Sequence, residues 1–431
     1  MSQINPAVPR RAFRLLIAGI NWPPETFIAR LIDGLVRAGV EVTIGSAKRP
    51  SPIAGSLRWL RTPSWETGIP LRLARLAGMA IRAKVRGARD MKVFGPFVRR
   101  GRTFSGRLQV WNRLLPYAGR RWDIIYLPWN SAAIAHLPIF DLPSPVVVSC
   151  RGTQVSVAPH NPAREEMRVG LRATFERAAA VHCVSEATLK EACQLGLDPA
   201  KARVIRPAVD PELFRPAASR RSKDGVFSMV TVGTLIWRKG HEWALQAIRR
   251  VADRGINVRF DIIGDGPDRQ RVLYTISDLG LQESVRLHGR LCPEEVLHRL
   301  QQADAFLLSS LSEGISNAVL EAMACGIPIV TTDCGGMREA VTDGVEGFVV
   351  PVRNAEAMAV ALLKLAGDLG LRQRMGQAAR ARIEREFDLK RQVEQWLELF
   401  DSVLGHNLTG AGAPFDRSSR RKEALTCLPA E

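Results

Sequence analysis

The sequence predicts an α/β protein with two doubly wound domains, each built on a parallel sheet. Three observations support this fold class. The chain has 431 residues, which suits two domains of typical size better than one hydrophobic core. Residues 13–44 follow an apolar strand, helix and apolar strand pattern. Strand and helix patterns alternate again from Met229 to Val350, as is typical of parallel sheets covered by helices.

The first domain is predicted over residues 1–215. Phe13–Ala18 predicts a buried strand, the apolar spacing that begins at Thr26 predicts a helix, and Val40–Ile44 predicts the next strand. This βαβ unit implies parallel pairing. The later strands of this domain are predicted at Ile124–Leu127, Val146–Ser149 and Ala180–Val184.

A basic segment interrupts the first domain between Arg58 and Arg121. It contains sixteen Arg or Lys residues against two acids, an excess of 14 out of a net charge of +18. Apolar residues recur in it at roughly helical spacing, so residues 58–121 are predicted to form a basic helical insert. Such a patch attracts the phosphates of an anionic membrane surface, a lipid-linked diphosphate or a nucleic acid.

Within that segment, apolar and basic residues alternate from Pro70 to Arg102, as in a helix that lies on a membrane interface. An ordinary helix, buried on one face and with solvated arginines on the other, is the alternative interpretation. We favour the membrane interpretation because acids are nearly absent. The aromatic residues are too widely spaced for stacking on bases, so no nucleic-acid partner is expected.

The second domain is predicted over residues 222–388, after a hinge at Val209–Gly225 that is rich in proline and polar residues. A helix at residues 389–405 is expected to cross back to the first domain, and residues 406–431 are expected to be disordered. The strands of the second domain are predicted at Met229–Val232, Phe260–Ile263, Val285–His288, Ala305–Leu308, Ile327–Val330 and Gly347–Val350.

Composition excludes several classes of protein. No window has the roughly 18 apolar residues of a membrane span, and the first apolar run stops at Asn21, too early for a signal peptide. The seven cysteines are scattered without a C-x-x-C pair, which argues against a disulfide framework and a zinc site. We therefore expect a cytoplasmic protein without a bound metal.

The strongest motif is Glu313-Gly-Ile-Ser-Asn-Ala-Val-Leu-Glu321, directly after a predicted strand. Ser316 and Asn317 favour a helix start, and Gly326 favours its end. The helix N-terminus would bind a diphosphate, and the two carboxylates would accept hydrogen bonds from a sugar and a ribose. Each glutamate alone is more often an ordinary surface acid, but together at a strand-to-helix turn they favour a binding site.

Two further segments follow predicted strands. In the segment that begins at Gly233, Arg238 and Lys239 lie where they would neutralise a leaving diphosphate without a metal, although a flexible basic loop is equally compatible. Gly264 lies in a glycine turn that indicates tight backbone packing near a ligand. Arg290 ends the next strand and is compatible with a contact to a base or with a surface position.

These residues resemble the retaining glycosyltransferases of family 4, most closely those that assemble exopolysaccharides or colanic acid. The resemblance covers Val230–Pro351 through V-G-x-L-x-W-R-K-G, I-I-G-D-G-P, L-H-G-R, S-E-G-I-S-N-A-V-L-E and G-x-E-G-F-V-V-P. It is looser in the first half, through P-P-E-T-F-I, R-G-T-Q and I-R-P-A-V-D. The family has the GT-B fold, in which two Rossmann-like domains face each other across a cleft.

The resemblance implies a role for each matching residue. Glu313 would hold the donor sugar, Glu321 the ribose, and Lys239 the diphosphate. Arg238 would assist catalysis, and donor contacts would also come from Gly233, Gly264, Arg290, Gly314, Ile315, Ser316 and Asn317. On the acceptor side, the matching residues are Glu25, Thr26 and Arg151.

Three positions depart from the family pattern. Thr234 occupies the place of a common basic residue, so Arg238 is expected to take over its role. Arg151 and Gln154 replace the histidine and aspartate of an H-G-x-D motif, and the double glycine after the first strand is absent. These departures concern the acceptor side and the outer hydroxyls of the sugar.

The sequence thus predicts a retaining, metal-independent hexosyl-type glycosyltransferase. Its partners would be a nucleotide-sugar donor, a saccharide or lipid-linked acceptor, and an anionic membrane surface, with peripheral attachment to the cytoplasmic membrane. The nucleotide sugar is a substrate, so no cofactor is expected. A nucleotide-sugar epimerase, a sugar phosphorylase or a non-catalytic binding protein on the same fold are the alternatives.

Overall fold

The computed structural model describes residues 12–50, 57–62, 69–86, 94–95, 98, 103–217 and 225–408. The chain forms two compact units. Unit 1 comprises residues 1–183, 189–204 and the chain from Val393 onward, and unit 2 comprises residues 184–188 and 205–392. The tail expected to be disordered from position 406 is helical at residues 406–408, and its remaining residues lie outside the described part of the chain, as do residues 218–224 of the expected hinge.

Unit 1 has a seven-stranded sheet within its described residues, in the order β3-β2-β1-β4-β5-β6-β7, and every neighbouring pair is parallel. The strands are β1 (Arg14–Ile17), β2 (Glu41–Ser46), β3 (Arg58–Arg61), β4 (Ile124–Leu127), β5 (Val146–Cys150), β6 (Ala180–Cys183) and β7 (Ala202–Val204). The helices up to residue 204 are α1 (Thr26–Arg37), α2 (Ile69–Val85), α3 (Phe104–Leu114), α4 (Asn130–Ala135), α5 (Thr153–Ser156), α6 (Glu165–Arg177) and α7 (Glu186–Gln194).

The first βαβ unit forms for the reasons that its sequence suggests. Helix α1 buries Ile28, Leu31, Ile32 and Leu35, which recur every three or four residues and make one apolar face. The chain leaves the helix through Gly39, whose φ of +87° is the left-handed conformation that glycine adopts without steric cost. Strand β2 then runs parallel to β1.

Unit 2 has a six-stranded parallel sheet within its described residues, in the order β10-β9-β8-β11-β12-β13. The strands are β8 (Phe227–Val232), β9 (Val258–Ile263), β10 (Val285–Gly289), β11 (Ala305–Leu308), β12 (Ile329–Thr332) and β13 (Gly347–Val350). The helices are α8 (His241–Ala252), α9 (Arg269–Asp278), α10 (Pro293–Gln302), α11 (Asn317–Ala324), α12 (Met337–Ala340), α13 (Ala355–Gly367), α14 (Leu369–Glu386) and α15 (Leu389–Leu408), the last continuing into unit 1.

Helices cover both faces of the second sheet, because successive side chains of a strand point to opposite faces. Met229 and Leu307 belong to one buried cluster, whereas Val230, Phe306 and Leu308 belong to the other. Strands buried on both faces are apolar throughout, which explains why β8 and β11 were predictable from short apolar runs.

Helix α15 completes the core of unit 1. Its Trp396 ring lies 4.9 Å from that of Tyr126 and 4.5 Å from that of His182, and Phe400 packs against Phe13 with ring centroids 5.9 Å apart. Within the described part of the chain, no helix is long and apolar enough to cross a membrane.

The predicted fold class is confirmed, but several elements differ from the prediction. Strands β8 and β9 begin two residues earlier than predicted, at Phe227 and Val258. The segment from Arg58 is not wholly helical, because its first residues form β3. This edge strand buries only Leu60, so it gives little apolar signal. The three-residue strand β7 was not predicted. Strand β12 begins at Ile329 rather than Ile327, because the Ile327 N–H donates to Ala322 O and so closes the end of α11.

Strand order creates a switch point in each sheet. In unit 2 the chain moves outward from β8 to β9 and β10, and then returns to the other side of β8 with β11. The loops after β8 and β11 therefore leave neighbouring strands in opposite directions and open a crevice, which is where doubly wound sheets bind ligands. The strongest predicted site residues belong to these two loops.

Candidate functional site

Lys239 and Glu313 form an ion pair at the switch point of unit 2. Lys239 ends the short 3₁₀ turn Trp237–Lys239 after β8, and Glu313 lies in the loop between β11 and α11. Lys239 Nζ donates a hydrogen bond to Glu313 Oε1. The two side chains are only 14% and 10% exposed. The sequence predicted both residues but not their contact.

The carboxylate of Glu313 is held on one side only. Ser310 Oγ donates to the same Oε1 atom at 2.8 Å. Among the described residues, no hydrogen bond to Glu313 Oε2 is present. A largely buried carboxylate with one fixed oxygen and one open oxygen is suited to accept a hydrogen bond from a bound hydroxyl.

Backbone contacts dock the loop after β8 onto the loop after β11. Leu311 N donates to Arg238 O at 2.7 Å, and Ser309 Oγ donates to Lys239 O at 2.9 Å. Gly240 has φ of +59°, and a Cβ at this position would lie 2.3 Å from Ser309 O. Only glycine permits both this conformation and this approach, so it fixes the position of Lys239.

A glycine pair after β12 supports the loop of Glu313 from the other side. Gly335 has φ of +54°, and a Cβ there would lie 1.8 Å from Glu313 O. Gly336 N donates to Gly314 O at 2.7 Å. Neither glycine was predicted, although the Gly-Gly pair that begins three residues after the end of β12 is a signal for close backbone approach.

Helix α11 begins and ends as predicted. Ser316 is its N-cap residue, and Gly326 follows its end with φ of +69°. Ile315 and Ser316 are 7% and 5% exposed. Asn317 Oδ1 is buried without a hydrogen-bond partner among the described residues. An unpaired buried acceptor is costly, so its position at a helix N-terminus favours a ligand there.

Four further predicted donor residues lie around this centre. Gly314 is half-buried beside Glu313, and Glu321 is half-buried on the second turn of α11. Gly264 has φ of +139°, and a Cβ there would lie 1.8 Å from Gly233 O, so these two glycines let the loops after β8 and β9 touch. Tight packing was the role inferred for Gly264 from its turn sequence.

Arg238 and Arg290 differ in their position relative to the Lys239–Glu313 pair. Arg238 is half-buried next to Lys239, while Thr234 is exposed. Arg290 is exposed after the edge strand β10. Strands of a sheet lie about 4.8 Å apart, so β10 is roughly 14 Å from β11. The sheet does not bring Arg290 to the switch point, although Gly264 N donates to Gly289 O at 2.8 Å and joins the neighbouring loops.

Two titratable groups near the pair were not predicted. Burial and the charge of Lys239 lower the pKa of His241 to about 4. Burial raises the pKa of the Cys334 thiol to about 12, so this thiol stays protonated at neutral pH. Neither group adds charge to the site at neutral pH, and Lys239 and Glu313 dominate its local electrostatics.

The predicted acceptor-side residues also meet, within unit 1. Glu25 and Thr26 are exposed at the start of α1, where Glu25 is the N-cap residue. Arg151 follows β5, and its guanidinium lies 4.5 Å from the ring centroid of Phe27. The cation–π contact therefore ties Arg151 to the first turn of α1.

A series of hydrogen bonds between polar side chains holds Arg151 in place. Its Nη2 donates to Tyr126 Oη at 3.1 Å, Tyr126 Oη lies 2.7 Å from Ser149 Oγ, and Ser149 Oγ lies 2.7 Å from His182 Nδ1. Arg151 Nε is buried without a hydrogen-bond partner in the described part of the structure. Gln154 does not join this series, because its side chain contacts Ser131.

Comparison with protein families explains both halves of this arrangement. A model described as "Glycosyltransferase Family 4" matches residues 24–213, and a model described as "Glycosyl transferases group 1" matches residues 216–382. The chain belongs to the glycosyltransferases. The group 1 match contains every predicted donor residue, and the family 4 match contains Glu25, Thr26 and Arg151.

Relatives of this glycosyltransferase include two from polysaccharide synthesis. "Amylovoran biosynthesis glycosyltransferase AmsK" of Erwinia amylovora is 32% identical over 215 residues, 48% of this chain and 53% of the relative. "Putative colanic acid biosynthesis glycosyltransferase WcaL" of Escherichia coli K12 is 32% identical over 206 residues, 46% of this chain and 50% of the relative. The chain thus spans about half the length of these curated relatives.

Solved structures establish the fold of this glycosyltransferase. The structure of "Anabaena Alr3699/HepE in complex with UDP and glucose" matches with a TM-score of 0.66 and 17% identity, over 90% of this chain and 100% of that chain. The two parallel-sheet α/β units of this glycosyltransferase have the GT-B fold, as predicted.

The described residues of the glycosyltransferase contain no group of three His, Cys, Asp or Glu side chains arranged to hold a metal ion. Its six cysteines in the described residues are free thiols, and Cys427 lies outside them. Among the described residues, Lys239 is the cation that pairs with Glu313, and Arg238 precedes it in the same turn.

Proposed function

We propose that the chain is a retaining hexosyl-type glycosyltransferase that moves a sugar from a nucleotide-diphosphate sugar to a saccharide or lipid-linked acceptor, in bacterial cell-surface or exopolysaccharide synthesis. The observation that carries this proposal is the Lys239–Glu313 pair at the switch point beside the N-terminus of α11. It combines a cation for a diphosphate with a carboxylate for sugar hydroxyls.

The diphosphate is bound by protein charges, without a metal. An ammonium group has three N–H donors, and Lys239 gives one to Glu313. Its other donors are available to a phosphate oxygen. Arg238 adds a second cation, and the free N–H groups of the first turn of α11 add the positive end of a helix dipole. These groups stabilise the negative charge that develops on the leaving phosphate.

The sugar is held by acceptors on the protein. Glu313 Oε2 accepts a hydrogen bond from one sugar hydroxyl, while Lys239 and Ser310 fix the other oxygen. Asn317 Oδ1 is the next candidate acceptor, since it is buried and unpaired among the described residues. Glu321 binds the ribose from the second turn of α11.

Transfer proceeds on one face of the sugar. The bond between the anomeric carbon and the phosphate oxygen breaks, and the acceptor oxygen bonds to the same face of that carbon. The leaving phosphate takes the proton of the acceptor hydroxyl, so no separate protein nucleophile or base is required. Electrostatic stabilisation of the phosphate is the main catalytic contribution of the protein.

The acceptor binds to unit 1 near Arg151, Glu25 and Thr26. Arg151 is fixed by Phe27 and Tyr126, which makes its remaining guanidinium donors suitable for orienting a polar acceptor. AmsK and WcaL are named for amylovoran and colanic acid synthesis, which favours a polysaccharide precursor as acceptor. The enzyme would work in the cytoplasm, at the inner face of the membrane.

The test is the anomeric configuration of the product. Proton NMR of a reaction with a bound nucleotide sugar and an oligosaccharide acceptor is expected to give a glycoside with the configuration of the donor. An inverted product would contradict the proposed chemistry. Conversion of the donor into an epimeric nucleotide sugar without transfer would instead indicate the epimerase alternative.

A further inference from the structure

A cavity of about 370 Å³ lies in unit 1, and none of the residues assigned to the donor or the acceptor lines it. It opens between β3, helix α2 and the segment 115–120. Leu60, Leu115 and Pro116 give it an apolar wall. Its polar lining consists of five arginines: Arg61, Arg75, Arg82, Arg86 and Arg120.

The sequence of α2 places three of these arginines on one side of the helix. Arg75, Arg82 and Arg86 are separated by seven and four residues, which is two turns and one turn. Gly78 lines the cavity between them, and a Cβ at Gly78 would meet no atom within 4 Å. The cavity is therefore open above the helix backbone.

The positive charge of this cavity is not balanced by acids among the described residues. Among the described residues, none of the five arginines forms an ion pair, whereas nearby Arg58 pairs with Glu41 at 3.0 Å. Burial and the charge of Arg86 lower the pKa of Arg120. Convergent guanidinium groups repel each other, and an anion that enters the cavity relieves this repulsion.

We propose that this cavity binds a phosphate-bearing anion, either a diphosphate or a terminal phosphate monoester. Guanidinium groups bind phosphate oxygens through paired, charge-assisted hydrogen bonds, and several of them suit a group with two or more negative charges. The cavity volume is sufficient for a diphosphate together with part of the group that carries it.

The residues around the cavity allow it to bind either a free phosphate or the phosphate of a lipid. Ile81 and Val85 are large apolar residues of α2 that are 63% and 83% exposed, and Leu73 is 42% exposed. Such residues next to a basic cavity are suited to contact a lipid surface while arginines bind its phosphates. The site is independent of the Lys239–Glu313 pair, so the two can be tested separately.

The first experiment uses inorganic pyrophosphate and isothermal titration calorimetry in chelator. Arg82→Gln/Arg120→Gln should weaken binding at the cavity by about tenfold or more per arginine. Gly78→Leu should weaken it without changing charge, because its side chain fills the open space. The control Arg254→Gln/Arg286→Gln removes two exposed arginines of unit 2 and should bind as the wild type does. Lys239→Met should remove pyrophosphate binding at the proposed donor site and retain the binding that the cavity variants lose.

The second experiment measures flotation with vesicles of phosphatidylcholine containing phosphatidic acid. If the cavity variants lose binding only in the vesicle experiment, while the control keeps it, the site is assigned to a lipid-borne phosphate. Loss in the pyrophosphate arm alone assigns it to a soluble phosphate, and loss in both arms supports the site for either source. Cavity variants that match the control in both arms would overturn the proposal.

Discussion

Lys239 Nζ donates a hydrogen bond to Glu313 Oε1 although the two residues are 74 positions apart in the chain. The contact exists because β8 and β11 are neighbours in the sheet and both loops leave at their carboxyl ends. It places a lysine and a glutamate, both largely buried, where doubly wound sheets bind ligands. The hydrogen bond from Lys239 orients the carboxylate.

Lys239→Met should reduce turnover by about a hundredfold and lower the free energy of unfolding by about 3 kcal/mol, because it leaves a buried carboxylate uncompensated. Urea unfolding and initial rates measure the two effects. The double variant Lys239→Met/Glu313→Gln removes both charges and should regain most of the stability but none of the activity. A double variant no more stable than Lys239→Met would contradict the ion-pair interpretation.

Glu313→Gln should reduce turnover on the order of a hundredfold, about 2.7 kcal/mol of transition-state stabilisation, with a much smaller effect on folding. The amide has the volume of the carboxylate and still accepts from Ser310, but its interaction with a sugar hydroxyl is weaker. The control is Glu356→Gln, which changes an exposed glutamate paired with Arg250. Near-normal activity of Glu313→Gln with every donor would refute the role of Glu313.

Gly335→Ala should displace the loop of Glu313 and abolish donor binding. The new Cβ would lie 1.8 Å from Glu313 O, so backbone must move. Gly344→Ala is the matched control: its φ is +80°, but its Cβ would meet nothing within 4 Å. In the control, the only destabilisation is that of an alanine in the left-handed backbone conformation, roughly 1 kcal/mol, so donor binding should be normal. Equal thermal shifts and equal donor affinities for the two variants would show that the close approach is unimportant.

The enzyme should lose stability as the pH falls from 6.5 towards 4. The pKa of His241 is about 4 in the folded state against 6.5 as its ordinary value, so the unfolded state binds the extra proton in this window. The loss attributable to this residue is up to about 3 kcal/mol. Denaturant unfolding at several pH values measures it.

His241→Phe should reduce that pH dependence by about half, because burial also lowers the pKa of His136 to about 4. Neither ring nitrogen of His241 has a hydrogen bond of good geometry among the described residues, so an apolar ring of similar size fits the site. His298→Phe, at an exposed position, should retain the wild-type profile. A wild-type profile in His241→Phe would show that this histidine is not the group that titrates.

Local signals were enough to predict α11. Ser316 is its N-cap residue, although the side chain makes no capping hydrogen bond, and Gly326 ends it in the left-handed conformation. The same holds for strands such as Ala305–Leu308, whose burial on both faces makes every residue apolar. Strand β3 gave no such signal, because Arg58 and Arg61 flank the single buried Leu60.

Contacts between loops could not be predicted from local patterns. The sequence identifies Lys239 and Glu313 as candidates, but their pairing depends on strand order. Gly335 reaches Glu313 only because β12 lies next to β11. The Arg151–Tyr126–Ser149–His182 chain likewise joins three adjacent strands or their ends, so it appears only once the sheet is assembled.

The most direct test of the central claim is saturation-transfer difference NMR with UDP-, GDP-, ADP- and dTDP-sugars in the presence of chelator. The account predicts that at least one nucleotide sugar binds without divalent metal, and that Lys239→Met and Gly335→Ala lose its signals while Gly344→Ala keeps them. Absence of binding to the whole panel, binding that disappears in chelator, or full binding by Lys239→Met would contradict the donor site proposed at the Lys239–Glu313 pair.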